Sequence, residues 1–475
     1  MSAQSQAAAN VTTIVLAAGQ GTRMKSARPK VLFELAGRSM VDHVITSALD
    51  AGARDVVVVV GFGRDEVVAS LAEGFGERVR TAIQEEPRGT GHAVLSALPA
   101  IAADAELALL LCGDTPLLSS SELRALVAIM TSGERRAEPL AMLTCRAPDP
   151  KGYGRILRDA AGRVVAIREH RDCTEAELAI DEVNPGVYLV SVAFLRDALR
   201  ELRPNNAQGE LYLTDIVRSA AERGGVIALE AADASALVGV NDRAQLADAE
   251  DALYRRHADA LRRAGATIRT SARVDVTVRV EADAVIEHGV VLRGATRVGR
   301  GARVDVGSVL TDVVVHEGAL VKPYSVATQS SIGPGASVGP FAHLRPESEL
   351  QAGAHIGNFV ETKKTIVREG AKANHLAYLG DSDIGAGANI GAGTIFCNYD
   401  GFRKHRTEIG AGAFIGSDSQ LVAPVRVGAG AYVATGTTVT RDVPDEALAI
   451  ARVRQDNKEG YATRLKGRLG AKRQG

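Results

Sequence analysis

Cysteine is scarce in this chain and tryptophan is absent. The four cysteines, Cys112, Cys145, Cys173 and Cys397, form no C-x-x-C pair, which removes a zinc knuckle and a dithiol redox motif from consideration. A chain of 475 residues needs no disulfide staples, so a reducing, cytoplasmic setting is expected. No apolar run approaches membrane-spanning length. Residues Met1 to Asn10 lack the basic and apolar regions of a signal peptide and are expected to be disordered. The formal net charge is −1 with charges dispersed, which gives no electrostatic footprint for nucleic acid. The one basic cluster, Arg464, Lys466, Arg468, Lys472 and Arg473, reads as a solvated terminal tail. These absences leave a soluble protein of two or three domains, with no nucleic-acid and no membrane partner.

What the chain has in quantity is glycine, 49 residues, against only 4% aromatics. From Ile268 an aliphatic residue recurs every sixth position, through Val274, Val280, Ile286, Leu292, Val298, Val304 and Leu310. The rhythm returns as Val326, Ile332, Val338, Leu344, Leu350 and Ile356, and again as Ile409, Ile415, Leu421, Val427, Val433 and Val439. Neither a helix nor a flat sheet has this period. A hexapeptide repeat predicts a parallel β-helix, a triangular coil with three short strands per turn and a thin core. Small residues four positions after the aliphatic one, as in Ile332–Ala336, Ile384–Ala388 and Val427–Ala431, fit where the triangle narrows. Between Ile356 and Ile384 the rhythm falters, and polar residues collect there.

Upstream, continuous apolar runs at Thr12 to Ala17, Asp55 to Val60 and Glu106 to Leu111 read as buried parallel strands. Helical patterns at Met40 to Ala51 and Gly91 to Ala103 alternate with them, which predicts a doubly wound α/β domain. Asp242 to Ala264 reads as one helix stopped by Gly265. The expected organisation is a Rossmann-like α/β domain over 11–243, a linker helix over 244–264, a β-helix over 265–455 and a basic tail over 456–475.

The first strand runs into Ala18-Gly19-Gln20-Gly21-Thr22-Arg23-Met24 and then Pro29-Lys30. A glycine-rich turn after a strand offers backbone N–H groups to an anion. No Gly-Lys-Ser/Thr follows, so this is not a P-loop, and Met24 breaks the G-x-G-x-x-G pattern. The glycines alone fit a plain turn as well as a phosphate site. Arg23 and Lys30 favour the phosphate site, because two cations neutralise a triphosphate.

Leu16-Ala-Ala-Gly-Gln-Gly-Thr-Arg-Met24 with Pro29-Lys30 resembles the signature of sugar-nucleotide pyrophosphorylases. With the hexapeptide region behind it, the chain from Val11 to Tyr461 resembles the bacterial bifunctional N-acetylglucosamine-1-phosphate uridylyltransferase/glucosamine-1-phosphate N-acetyltransferase family. The resemblance implies two reactions. One is acetyl transfer from acetyl-CoA to glucosamine-1-phosphate. The other is uridylyl transfer from UTP to N-acetylglucosamine-1-phosphate, supplying UDP-N-acetylglucosamine for peptidoglycan and lipopolysaccharide precursors. It also implies Mg²⁺, a left-handed coil and a homotrimer with acetyl-CoA sites between subunits.

By that resemblance Leu16, Ala17, Ala18, Gly19 and Lys30 bind UTP and the UDP-sugar, and Arg23 and Lys30 are the catalytic cations. Gln84, Gly89 and Thr90 read uracil, and Cys112 and Gly113 line the same site. Asp114 and Asn241 hold the Mg²⁺, while Gly154, Glu169 and Asn184 bind the sugar. Read singly, Asp114 also fits a helix N-cap and Asn241 a cap of the linker helix.

In the coil, Asn374-His-Leu-Ala-Tyr-Leu-Gly-Asp381 resembles the family's acetyltransferase motif. His375, with an ordinary pKa near neutrality, is the candidate general base. The resemblance assigns Arg345, Lys363, Tyr378 and Asn389 to the sugar phosphate. It assigns Ala392, Asn398, Tyr399, Ser417, Thr435 and Arg452 to acetyl-CoA. A short basic insertion, Arg403 to Arg406, follows Asn398-Tyr399. Three positions depart from the family pattern: Thr435 for a small Ala, Pro185 for Thr or Ser, and Cys112 for a larger residue.

Three other readings compete. A nucleotidyltransferase with a purely structural coil has no need of Arg345, Lys363, His375 and Tyr378. A zinc enzyme of the carbonic-anhydrase type requires three converging histidines from His343, His355, His375 and His405. A non-catalytic sugar-nucleotide-binding regulator has no use for Arg23, Lys30 and Asp114.

Overall fold

The computed structural model describes residues 10–131, 138–147 and 149–471, so of the disorder expected over Met1 to Asn10 the first nine residues, and of the tail Lys472 and Arg473, lie outside them. Asn10 is ordered, against that expectation: its Nδ2 donates to Asp104 O at 3.3 Å and Oδ2 at 3.1 Å, and its carbonyl accepts from Glu106 N at 3.0 Å. The chain divides into two compact units, Met1–Arg256 and His257–Gly475.

The first unit is built on a ten-stranded mixed sheet. In chain order its strands are β1 (Val11–Ala17), β2 (Asp55–Val60), β3 (Val79–Ile83), β4 (Leu107–Cys112), β5 (Leu140–Arg146), β6 (Gly154–Arg158), β7 (Val164–Arg168), β8 (Glu182–Asn184), β9 (Tyr188–Ser191) and β10 (Val226–Glu230). The spatial order is β3-β2-β1-β4-β9-β5-β8-β6-β7, with β10 on β5. β1, β2, β3 and β4 run parallel. The sheet then reverses, because β9 pairs antiparallel with both β4 and β5. Val56 to Val60 are fully buried, as expected for a strand covered on both faces. The helix predicted over 91–103 is shorter, Thr90–Ala97. Pro99 has no amide to continue the ladder, so the chain tightens into a 3₁₀ turn at Leu98–Ala100.

Arg243–Arg263 forms one helix, and the division between units falls within it. Asp242 caps its start, its Oδ1 accepting from the amides of Ala244 (3.0 Å) and Gln245 (2.9 Å). At its far end Ala258 and Leu261 join the core of the second unit.

That unit is a parallel β-helix of strands two to seven residues long. Each strand pairs with the one a full turn on, 18 residues away for Thr267↔Val285 and 17 for Arg297↔Val314. The one-residue difference corrects the sequence reading. After Leu310 the inward residues are Val315, Val321 and Ala327, all buried. Val326, which a strict count of six places inside, is 39% exposed and faces out. The rhythm also does not fail between Ile356 and Ile384. The inward positions continue as Thr362, Val367, Ala373 and Leu379, each fully buried. The buried hydroxyl of Thr362 donates to Ser348 Oγ at 2.8 Å, so a polar residue occupies an aliphatic slot at little cost. Among the described residues the coil has one inserted segment. Asp383↔Glu408, Asn389↔Phe414 and Ile395↔Gln420 pair 25 residues apart, so eight extra residues leave the coil between Cys397 and Thr407.

Among the described residues no helix is long and apolar enough to cross a membrane. The terminal helix Tyr461–Ala471 exposes Arg464, Lys466 and Arg468.

Candidate functional sites

The carboxyl ends of β1, β2 and β4 open onto one cleft of about 1230 Å³, where a parallel sheet of this kind takes ligands. Leu16, Ala17, Ala18, Gly19, Arg23 and Lys30 line it from β1 and its loop. Gln84, Gly89 and Thr90 line it from the segment after β3, and Cys112 and Asp114 from the end of β4. Gly113 lies between them, its amide bonded to Leu16 O at 2.9 Å.

Within the loop, Gly21 is the residue that geometry requires. Its φ is +63°, and a Cβ there would lie 2.5 Å from Lys30 Cβ. This close approach seats Lys30. Its Nζ contacts Asp114 Oδ2 at 2.6 Å and Asn241 Oδ1 at 3.0 Å. Arg23 Nη2 donates to the same Asn241 oxygen at 2.8 Å. Two residues 84 and 211 positions from Lys30 thus turn hard oxygen donors toward one cation. The capping readings fail for both. Asp242 caps the linker helix, and Ser119 caps Ser120–Thr131. Gly21→Ala is expected to cost about 1–2 kcal/mol of stability from the left-handed backbone. By pushing the Lys30 stem aside it should lower nucleotidyl transfer roughly 10²-fold. Thermal melting and pyrophosphate release check the two effects; a variant with unaltered release would mean that Lys30 needs no such seat.

Gln84 is buried, its Nε2 donating to Gly89 O at 3.1 Å and meeting His92 Nδ1 at 3.2 Å. The hydroxyl of Thr90 accepts from Leu213 N at 3.0 Å. The three proposed sugar residues meet at one end of the antiparallel extension. Asn184 and Gly154 are partners across β8 and β6, and Glu169 follows β7 directly. Burial raises the Glu169 pKa, partly offset by the Thr214 hydroxyl, which donates to Oε1 at 3.0 Å. Gly186 N donates to Asn184 Oδ1 at 3.0 Å, closing a turn around Pro185. Burial, then the Asp114 charge, push the Cys112 thiol up to about 12, so it packs as a neutral thiol. The sequence reading passed over Phe62, Gly63, Arg64 and Glu210, which also line the cleft. The first three were detectable because they follow directly on β2. Thr214, which acts through Glu169, carried no such signal.

In the second unit, register puts the remaining candidates on one edge and the adjoining face. Gly393 N donates to Leu376 O (2.8 Å), Asp418 N to Ala392 O (2.7 Å) and Gly436 N to Ser417 O (2.9 Å). Arg452 Nη1 reaches Thr435 O at 2.7 Å. His375, Ala392, Ser417 and Thr435 therefore rise turn by turn along a single edge, with His375 exposed at the end of Lys372–His375. Asn389 stands one turn above Lys372.

Around the corner, Arg345 N bonds Thr362 O at 2.9 Å, which stacks Arg345 beside Lys363. Arg345 Nη1 is paired with Glu361 Oε1 at 2.7 Å. Lys404, from the eight-residue insertion, and then Arg345 hold the half-buried Lys363 ammonium below its usual pKa. These three cations share the face with two carboxylates, Glu361 on Arg345 and Asp381 toward Lys363. Asn398 Nδ2 contacts Asp381 Oδ2 at 2.6 Å and Tyr378 Oη at 3.4 Å. Tyr399 Oη donates to Gly401 O at 2.6 Å. Asp400 organises the insertion. It accepts from the amides of Phe402 and Arg403, both at 2.7 Å, and from His405 Nε2 at 2.6 Å. The sequence assigns no role to Glu361, nor to Asp381 and Lys404 within their motifs. A charged residue on a coil face is ordinary until the register shows what stands beside it.

Among the described residues no three His, Cys, Asp or Glu side chains gather as a metal site. The three-histidine reading therefore has no cluster to rest on among them.

Residues 13–212 match the MobA-like NTP transferase domain. Over 463 residues the chain is 70% identical to the bifunctional protein GlmU of Sorangium cellulosum (strain So ce56), covering 97% of each. The chain belongs to the bifunctional GlmU family. It is 50% identical over 459 residues to the GlmU of Anaeromyxobacter sp. (strain Fw109-5), across 96% of this chain and 93% of that one. It is 46% identical over 460 residues to the GlmU of Pelobacter propionicus, across 96% and 99%. Both units fall within these matches, so the coil is the left-handed hexapeptide β-helix of a bifunctional transferase, joined to its nucleotidyltransferase domain.

Proposed function

We propose that the cleft of the α/β unit carries out uridylyl transfer and the coil face around His375 carries out acetyl transfer, with the boundaries 11–243, 244–264 and 265–455. The chain is an enzyme of UDP-N-acetylglucosamine synthesis with both activities. The observation that carries the assignment of the cleft is Lys30 Nζ held between Asp114 Oδ2 and Asn241 Oδ1, beside a glycine-rich loop and Arg23.

In the first site a phosphate oxygen of N-acetylglucosamine-1-phosphate attacks the α-phosphorus of UTP. The new P–O bond forms as the α–β bridge breaks and pyrophosphate leaves with the electron pair. Backbone amides of the loop hold the phosphates, while Arg23 and Lys30 neutralise charge building on the leaving group. Gln84, Gly89 and Thr90 hold the base, and Gly154, Glu169 and Asn184 the sugar. Asp114 and Asn241 suit Mg²⁺, because one carboxylate and one amide oxygen are hard donors that already attract a cation here. When bound, the ion would supply charge neutralisation for the phosphates.

In the second site the amine of glucosamine-1-phosphate attacks the thioester carbonyl of acetyl-CoA. An N–C bond forms, the C–S bond breaks, and CoA leaves as its thiolate. His375 takes the amine proton. Arg345, Lys363 and Tyr378, with Lys404, suit the sugar phosphate; the edge from Ala392 to Arg452 suits the coenzyme.

We assign a homotrimer as the working form. Tyr324, Phe341 and Phe359 stack along one coil edge with centroids 5.4 and 5.5 Å apart, all exposed, and Leu376 continues the row. An apolar ladder of that length supports a second copy covering it. The cytoplasm fits substrates of this kind.

The test is a coupled assay on the purified chain with glucosamine-1-phosphate, acetyl-CoA, UTP and Mg²⁺. UDP-N-acetylglucosamine, free CoA and pyrophosphate are expected. Pyrophosphate from N-acetylglucosamine-1-phosphate without any CoA release would restrict the chain to nucleotidyl transfer.

A further inference from the structure

Asp381 belongs to none of the groups assigned above, yet it touches one of them directly. It sits inside the strand Tyr378–Ile384 with φ +49°, a left-handed conformation that a non-glycine residue adopts at some cost. The residue before it is equally constrained. A Cβ on Gly380 would lie 2.5 Å from Tyr378 Oη and 2.6 Å from Asn398 Nδ2. The backbone therefore presses against two site side chains, and the bend at Asp381 turns its carboxylate to meet the second.

Asn398 is 6% exposed. One of its amide hydrogens goes to Asp381 Oδ2 at 2.6 Å, and the other faces Tyr378 Oη at 3.4 Å. An amide has two donors and one acceptor oxygen. With both donors directed into the protein, the orientation is determined by the network, and Oδ1 is the group left to receive a donor from outside. A carboxylate accepts only, so it cannot be satisfied by the flipped amide. The cations beside this cluster, Lys363, Arg345 and Lys404, mark the phosphate end of the sugar. Asp381 also faces Lys363 as an opposite charge.

We infer that Asp381 is a positioning residue for acetyl transfer: it locks the Asn398 amide so that Oδ1 accepts from the amino group of glucosamine-1-phosphate and aims it for attack. This rests on the reading of the coil face as the acetyltransferase site. It assigns Asn398 to the sugar amine, where the family resemblance gave it to the coenzyme.

The experiment uses Asp381→Gly, which keeps the left-handed backbone and removes the carboxylate, and Asp381→Asn, which tolerates the same φ. Steady-state acetyl transfer is measured in the full-length chain with each substrate varied. Asp381→Gly is expected to lower kcat roughly 10–10²-fold, the scale of a small misplacement of a reacting group. KM for glucosamine-1-phosphate should rise, while KM for acetyl-CoA stays within about twofold of its starting value. Asp381→Asn should fall between Asp381→Gly and the parent. Unchanged kinetics in both variants would overturn the proposal, as would a rise confined to the KM for acetyl-CoA. Far-UV circular dichroism and thermal melting of the same preparations report folding of the coil, and an unfolded Asp381→Gly leaves Asp381→Asn to decide. Absence of acetyl transfer in the parent chain would instead remove the underlying site reading.

Discussion

Replacing His375 with alanine is expected to lower acetyl transfer by roughly 10²–10⁴-fold, the usual contribution of a general base. Uridylyl transfer should be untouched. The size follows from the chemistry of the attacking amine. As its nitrogen bonds to the thioester carbon it becomes cationic, and collapse toward product requires loss of a proton. His375 is exposed at the end of its strand and no hydrogen bond among the described residues engages its ring, so the ring is available to a substrate. It lies on the same edge as Ala392, Ser417 and Thr435, one turn below the first of them. Free CoA formed from glucosamine-1-phosphate and acetyl-CoA is the readout, with pyrophosphate release as the parallel control. Loss of both activities would defeat the separation into two sites. A drop below about tenfold would pass the role of base to another group.

Asp114→Ala is expected to do the reverse. Nucleotidyl transfer should fall by roughly 10²–10³-fold, the scale of removing one preorganised electrostatic group, and acetyl transfer should persist. Two effects combine. The variant removes a hard oxygen donor suited to Mg²⁺, and it frees Lys30 Nζ, now 2.6 Å from that carboxylate. Lys30 would then rest on Asn241 alone, at 3.0 Å. A Mg²⁺ titration of pyrophosphate release separates the effects. The half-saturating concentration should rise if Asp114 is a ligand. An unchanged titration curve with lowered kcat would leave Asp114 only as the anchor of Lys30.

The sequence disclosed the parts of each site that are contiguous. β1, the glycine turn, Arg23 and Lys30 lie within twenty residues, and the strand-to-turn pattern carries its own meaning. The mixed character of the sheet was not legible. Tyr188, Leu189 and Val190 of β9 are as buried as the parallel strands, and burial on both faces says nothing about strand direction. In the coil, the period of six survived only where the inward residue is aliphatic. Thr362 and Ala373 occupy the same slots, one satisfied by Ser348 and the other small, and both erase the pattern without disturbing the coil. Turns of 17 residues shift the count by one, which is why Val326 was read as inward when Ala327 is. The contact made by Asp381 was not legible for a different reason. Its partner lies 17 positions away, a separation that means adjacency only after the register is known.

The coil has a consequence for how the molecule comes apart. Each turn pairs only with the turns above and below, so its cooperativity is that of a linear chain of nearest neighbours, and opening starts at an uncovered end. The last rungs, Tyr432–Val433 against Leu448–Ala449, are two residues long and carry Thr435 and Arg452 just beyond them. His375 lies several rungs inward. Fraying from that end therefore strips away the coenzyme's outermost contacts while the base and the sugar-phosphate cations are still held in place.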